Sequence, residues 1–185
     1  MSKKDISLLI GIVSALIISR LIPHAPNFTS SLTGLVFGGV VLRKGFYGVL
    51  ILLAYFIADL AINNIHYSVD HTGFQWASQS FYWIYAGLVI VFFISRLFTE
   101  NLESPFRIMV LSLASSLIFF LLSNFGVWLE GVIYVKDFSG LFQCFIAGLP
   151  FLLNDLAASV FFGCVFFGIY WLYESSQEEN ILATR

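Results

Sequence analysis

Arg20-Leu-Ile-Pro-His-Ala-Pro-Asn-Phe-Thr29 separates two apolar runs, and its reading decides the reading of the rest. Pro23 and Pro26 each fix φ and lack an N–H, so no helix passes through the stretch. Each also pushes the residue before it towards extended backbone. A first helix must therefore end near Arg20, and the chain is held in one shape before a second begins. A stretch that only connects has no need of Arg20, His24, Asn27 and an aromatic side chain together. It reads as the lid or floor of a binding site on one face of a membrane protein.

Lipid follows from composition. Of 185 residues, 59% are hydrophobic and 11% charged, against about 25% charged in an average soluble domain. Mean hydropathy is +0.90. A water-soluble fold cannot cover its surface with so few charges. The net charge of −2 and the lack of a basic cluster exclude nucleic acid as a partner. Cys144 and Cys164 have no metal-ligand spacing and read as packing thiols. His66, Asp70 and His71 lie close in sequence, but five-residue spacing in a loop is a weak metal signal. No metal and no cofactor are expected. Lys3-Lys4 followed by Ile6–Ile18 resembles the start of a signal peptide. Arg20 and Pro23 stand where the small residues of a cleavage site belong, so the segment reads as a retained helix.

Outward from the opening stretch, the chain reads as an all-α membrane protein of six helices: about 6–22, 31–42, 47–63, 81–98, 106–125 and 150–173. The first carries Gly11, Ala15 and Ser19 at four-residue spacing, a small stripe on which another helix of this chain or of a partner can dock. The second, with Gly34, Gly38 and Gly39, is too short to cross lipid easily and should be buried between neighbours. The third ends near Asp59, with Asn63 on the same face. The fourth opens on Tyr82, Trp83 and Tyr85, suited to an interfacial belt or to a ligand's flat face. Gly126 is expected to end or bend the fifth. The segment 132–149 reads as an interfacial half-helix. Pro150 suits the first turn of the last helix, whose free N–H groups would then point outward.

Lys and Arg fall unevenly. Six crossings put Lys3, Lys4, Arg43, Lys44, Arg96, Arg107 and Arg185 on one side, and only Arg20 and Lys136 on the other. The richer side should be cytoplasmic, with both termini inside and the protein multi-pass; the membrane would be a bacterial inner membrane if the family resemblance given below holds. Arg20, His24, Asn27, Asp59, Asn63, His66, His71, Asn124, Trp128, Glu130, Asn154 and Asp155 then all map to the outer half or just beyond it. Ionisable groups there cost a few kcal/mol each unless paired or wetted, so they should face one another or a cavity. The plainer reading is that Arg20 snorkels or pairs with Asp59, that Asn124 and Asn154 bond neighbouring helices, and that Trp128 anchors at the interface. Convergence on one leaflet favours a substrate site built from Arg20, His24, Asn27, Asp59, Asn124 and Asn154. Trp76, Tyr82 and Trp128 would stack on the ligand.

No metalloprotease, nucleophile-elbow or phosphate-loop motif is present, so the chain is not read as an enzyme. Three functions remain in order. The first is uptake of a small molecule through an outward pocket, a vitamin-like one if the resemblance given below holds. The second is a non-transport membrane scaffold or assembly factor. The third is an intramembrane enzyme using Asp59 and Asp155.

Several stretches resemble one bacterial family of membrane transport proteins of unknown function: Arg20–Thr29, Leu35-Val-Phe-Gly-Gly39, Asp59, Ser123-Asn-Phe-Gly-Val-Trp128, and Ala147-Gly-Leu-Pro-Phe151 with Asn154. In length and layout that family is similar to the substrate-binding (S) components of energy-coupling-factor (ECF) vitamin transporters. The resemblance covers roughly residues 6–172 and implies a six-helix bundle with an outward pocket capped by loops. It also implies docking of the first helix on a transmembrane coupling protein that rides on ATPases. Gly11, Ala15 and Ser19 would serve that docking, although they do not match the Ala-xxx-Ala pattern of S components. One turn beyond Asn154, Ser159 stands where the resemblance leads one to expect an acid, and Asp155 is adjacent instead.

Overall fold

A computed structural model describes residues 3–42, 44–65, 73–78, 80–98 and 105–183. It is all-α, with six helices: α1 (Lys3–Leu21), α2 (Ser31–Val41), α3 (Phe46–Ile65), α4 (Phe81–Arg96), α5 (Pro105–Glu130) and α6 (Phe138–Ala183). Arg43, His66, Asp70, His71, Glu100, Glu103 and Arg185 lie outside the described residues.

The centre of the bundle is its shortest helix. Ser31 to Val40 are all buried, and α2 touches each of the other five helices. Its glycines make this possible. A Cβ on Gly39 would lie 2.7 Å from Ser95 Cβ and 3.2 Å from the Phe92 carbonyl of α4, so only hydrogen allows the two backbones to meet. Gly38 faces Ile51 of α3, and Gly34 faces Ile12 of α1. The expected burial of this helix between neighbours is what the structure shows. Around it pack Ile12, Leu16, Ile51, Leu88 and Val91, each no more than 1% exposed. Arg96 Nη1 donates 2.6 Å to the Leu42 carbonyl, placing a cation against the negative end of α2.

The opposite surfaces of the helices are apolar as well. Ile10, Ile18, Val49, Leu53, Leu121 and Ile169 are among many large hydrophobic side chains left exposed. Water would penalise such a surface; lipid does not. Three helices are long and apolar enough to cross a membrane, over Phe46–Ile65, Phe106–Glu130 and Phe138–Ser176, and Ser31–Val41 and Phe81–Arg96 are apolar but shorter. At one end of the bundle Lys4 bonds Glu174, joining α1 to α6. Tyr47 Oη donates 3.4 Å to Asp5 nearby.

Two expectations are corrected. Residues 138–149 are not a separate half-helix: α6 runs unbroken from Phe138 to Ala183 with Pro150 inside it. Its start is set by Asp137, whose Oδ1 accepts from the Gly140 N–H at 2.7 Å and caps the first turn. Pro150 therefore opens no helix, and the outward-pointing N–H groups expected there do not exist. Pro150 instead deprives the Ile146 carbonyl of its helical donor. At 46 residues and about 1.5 Å per residue, α6 is roughly twice as long as a hydrocarbon core of about 30 Å is thick. The second correction concerns Gly126. It does not end α5, which continues to Glu130. It is instead a contact glycine, because a Cβ there would lie 2.4 Å from the Trp83 ring of α4.

Candidate functional site

The proline-braced stretch shapes the end of the bundle. α1 ends at Leu21, two residues before Pro23, as the restricted residue before a proline demands. Ala25-Pro26-Asn27-Phe28 then forms a tight turn, with Phe28 N–H donating 2.9 Å to the Ala25 carbonyl. Asn27 has φ 64°. Proline at the second position and a left-handed Asn at the third is the signature of a type II turn. His24 Nδ1 sits 2.6 Å from the Ala25 carbonyl.

Two elements clamp this turn. Asn154 Nδ2 of α6 donates 2.8 Å to the Pro26 carbonyl. Phe28 packs between Phe161 and Phe162, each ring centroid 6.0 Å away. On the other side Ser19 Oγ lies 3.0 Å from Ser30 Oγ and accepts from the Ser30 N–H. The loop is therefore fastened to α1, α2 and α6 together.

Beneath it lies a cavity of about 770 Å³. α1 and the loop contribute Arg20, His24 and Asn27; α3 contributes Tyr55, Asp59 and Asn63; Ser78 precedes α4; α5 contributes Phe119 and Ser123; α6 contributes Phe151 and Asp155. Arg20 Nη2 donates 2.7 Å to Asp59 Oδ1, and its guanidinium lies over the Tyr55 ring, 4.1 Å from the centroid. Ser78 Oγ donates 3.4 Å to the other Asp59 oxygen. The pair is largely enclosed, its side chains 13% and 11% exposed. Two buried donors on cavity residues, Arg20 Nε and Asn63 Nδ2, have no partner among the described residues. Buried polar atoms normally find a partner in protein, water or ligand.

The expected site residues divide into three groups. Arg20, His24, Asn27 and Asp59 line this cavity. Trp76 and Tyr82 line a shallower hollow of about 560 Å³, with Phe56, Phe81 and Glu130, and only Ser78 borders both. Asn124, Trp128 and Asn154 line neither. Asn124 Nδ2 donates 2.9 Å to the Phe120 carbonyl, and its Oδ1 lies against Gly148 of α6. Trp128 Nε1 donates 2.9 Å to the Val135 carbonyl, while Lys136 bonds the Trp128 and Gly131 carbonyls, so this tryptophan organises residues 131–137. Asn154 clamps the Pro26 turn from outside the cavity.

The docking stripe on α1 also divides. Gly11 faces open space, Ala15 packs against the core, and Ser19 is bonded to Ser30. Tyr55, Ser78 and Asp155 are cavity residues that the expected set left out. Tyr55 lies one helical turn before Asp59, which was the signal for it. Among the described residues no three His, Cys, Asp or Glu side chains gather as a metal site requires.

Apolar outer surfaces on helices of spanning length, with a half-open hollow lined by both polar and apolar side chains at one end, define a multi-pass membrane protein. The chain belongs to a family of unknown function, DUF6580, matched over residues 1–181. No curated protein and no solved structure matches it.

Proposed function

We propose that this chain is a membrane substrate-binding protein that takes a small molecule from outside the cell. One observation carries the reading. Charged and amide side chains from separate helices, costly in lipid, open onto a single cavity under a loop fastened on three sides. Its volume is in the range of small-molecule sites, about 300–1,000 Å³. Lys4, Lys44, Arg96 and Arg107 stand at helix ends remote from the cavity, and the side richer in such residues is cytoplasmic in short-loop membrane proteins. The cavity then faces outward, with both termini inside. The sequence carries no phosphate-loop motif, so accumulation against a gradient would draw on a partner. A coupling protein of the ECF kind, docking at the open face around Gly11, is the partner the resemblance implies. Asp59 is bonded to Arg20, and the reading keeps both Asp59 and Asp155 as binding groups without a catalytic step.

A scaffold role draws support from a different set of contacts. Ser116 Oγ and Ser159 Oγ lie 2.8 Å apart between α5 and α6, and Asn154 bonds the Pro26 carbonyl. These polar groups hold helices together without forming a site.

Native mass spectrometry of gently extracted protein separates the two readings. A co-purified small molecule that disappears in Asn63→Leu, which fills the cavity without removing a bonded group, supports binding. Wild-type protein found only at its bare mass when extracted directly from cells contradicts it.

A further inference from the structure

The cavity is unbalanced in charge. It holds two carboxyl groups, Asp59 and Asp155, one guanidinium, Arg20, and the imidazole of His24, whose Nδ1 is turned to the Ala25 carbonyl of its own loop at 2.6 Å. That guanidinium is engaged by Asp59 and stacked on Tyr55. Asp155 is 5% exposed, lines the cavity, and has no hydrogen bond or ion pair among the described residues. The remaining described basic side chains offer it nothing. Lys136 is bonded to backbone carbonyls beyond α5, and Lys4, Lys44, Arg96 and Arg107 belong to the far helix ends. A buried carboxylate without a counter-charge is strongly disfavoured, and the remedy is a cation or a proton. The rest of the wall suits a cation. Phe119 and Phe151 line the same space, and aromatic rings attract ammonium groups, most strongly where water is displaced; the Tyr55 face is taken by Arg20. An anionic ligand would meet two acids and a guanidinium whose charge Asp59 already balances; the donors left open, Arg20 Nε and Asn63 Nδ2, suit a neutral acceptor on the same ligand.

We propose that the cavity takes a small organic cation, an amine protonated at neutral pH and carried on a flat or aromatic body, seated with its ammonium on Asp155. The proposal rests on the substrate-binding reading above and narrows its ligand class. Arg20 and Asp59, bonded to each other, then form part of the wall, and Asp155 supplies the charge recognition.

The test uses three probes of nearly one shape and different charge: tryptamine (cation), tryptophol (neutral) and indole-3-acetate (anion). Equilibrium dialysis against the purified full-length chain at neutral pH should show tryptamine bound at least about tenfold more tightly than tryptophol, and no measurable binding of indole-3-acetate. Asp155→Asn, nearly isosteric and uncharged, should erase the preference. Asp155→Ala, checked with it for monodispersity, guards against a folding defect in either variant. Equal or tighter binding of the neutral or anionic probe overturns the proposal, as does a cation preference that survives both substitutions. Failure of all three probes overturns it too. Labelling of a cysteine at Ser123 from outside then tells whether the cavity reading falls with it.

Discussion

The Arg20–Asp59 pair allows a quantitative test of how the cavity wall is held. Removing one partner of a fully buried ion pair costs about 3–5 kcal/mol, because the other charge is left behind. Here the side chains keep 13% and 11% exposure and border a polar cavity. Water can reach the orphaned group, which lowers the expectation to about 2–3 kcal/mol for Asp59→Asn. Arg20→Met also loses the contact with the Tyr55 ring, 4.1 Å from guanidinium carbon to centroid, a further contribution of about 0.5–1 kcal/mol. The double variant leaves neither charge stranded. Its cost should fall short of the sum of the singles by about 1.5–2 kcal/mol. Equilibrium unfolding in mixed micelles, followed by the fluorescence of the four tryptophans, measures all three corners. If the losses add to within about 0.5 kcal/mol, the two groups do not depend on each other and the wall is not built around their pairing.

Other substitutions separate contact glycines from open ones. Gly48→Ala places a Cβ about 2.2 Å from the ring of Phe92, itself 5% exposed, so it should cost about 1–3 kcal/mol in the same unfolding assay. Gly11→Ala meets nothing within 4 Å and should be neutral or stabilising by up to about 1 kcal/mol. Gly11→Leu should likewise leave the isolated protein folded; if a partner docks there, it should abolish uptake in cells while ligand binding by the purified chain is unchanged. Trp128→Phe removes the donor to Val135 and should speed proteolytic cutting within 131–137 without altering ligand affinity, because Trp128 does not line the cavity.

Much of this structure was legible in residue grammar, and the rest depended on how helices rotate against each other. Pro23 and Pro26 act within a few bonds, so the end of α1 and the turn at Asn27 could be read directly. The burial of α2 followed from its length and glycines. Arg20 and Asp59 could be matched because each is costly in lipid alone. Pro150 was ambiguous. A proline in a first turn and one inside a long helix have the same neighbours, and the choice was made by Asp137, which caps thirteen residues earlier. Gly126 was ambiguous in the same way, since a glycine that ends a helix and one that admits Trp83 look alike in sequence. Asn154 and Asp155 show the limit most clearly. Adjacent helical positions point about 100° apart, and only the rotation of α6 sends Asp155 into the cavity and Asn154 to the Pro26 carbonyl.

The most direct test asks whether the polar hollow opens to the outside of the cell. Cysteine is placed at Ser123, on the cavity wall, or at Lys44, at the other end of the bundle, with Cys144 and Cys164 replaced by alanine. A membrane-impermeant maleimide added to intact cells should label the Ser123 position and spare Lys44, and inside-out vesicles should reverse the pattern. Labelling of Lys44 but not Ser123 in intact cells would place the cavity on the cytoplasmic side and contradict uptake from outside.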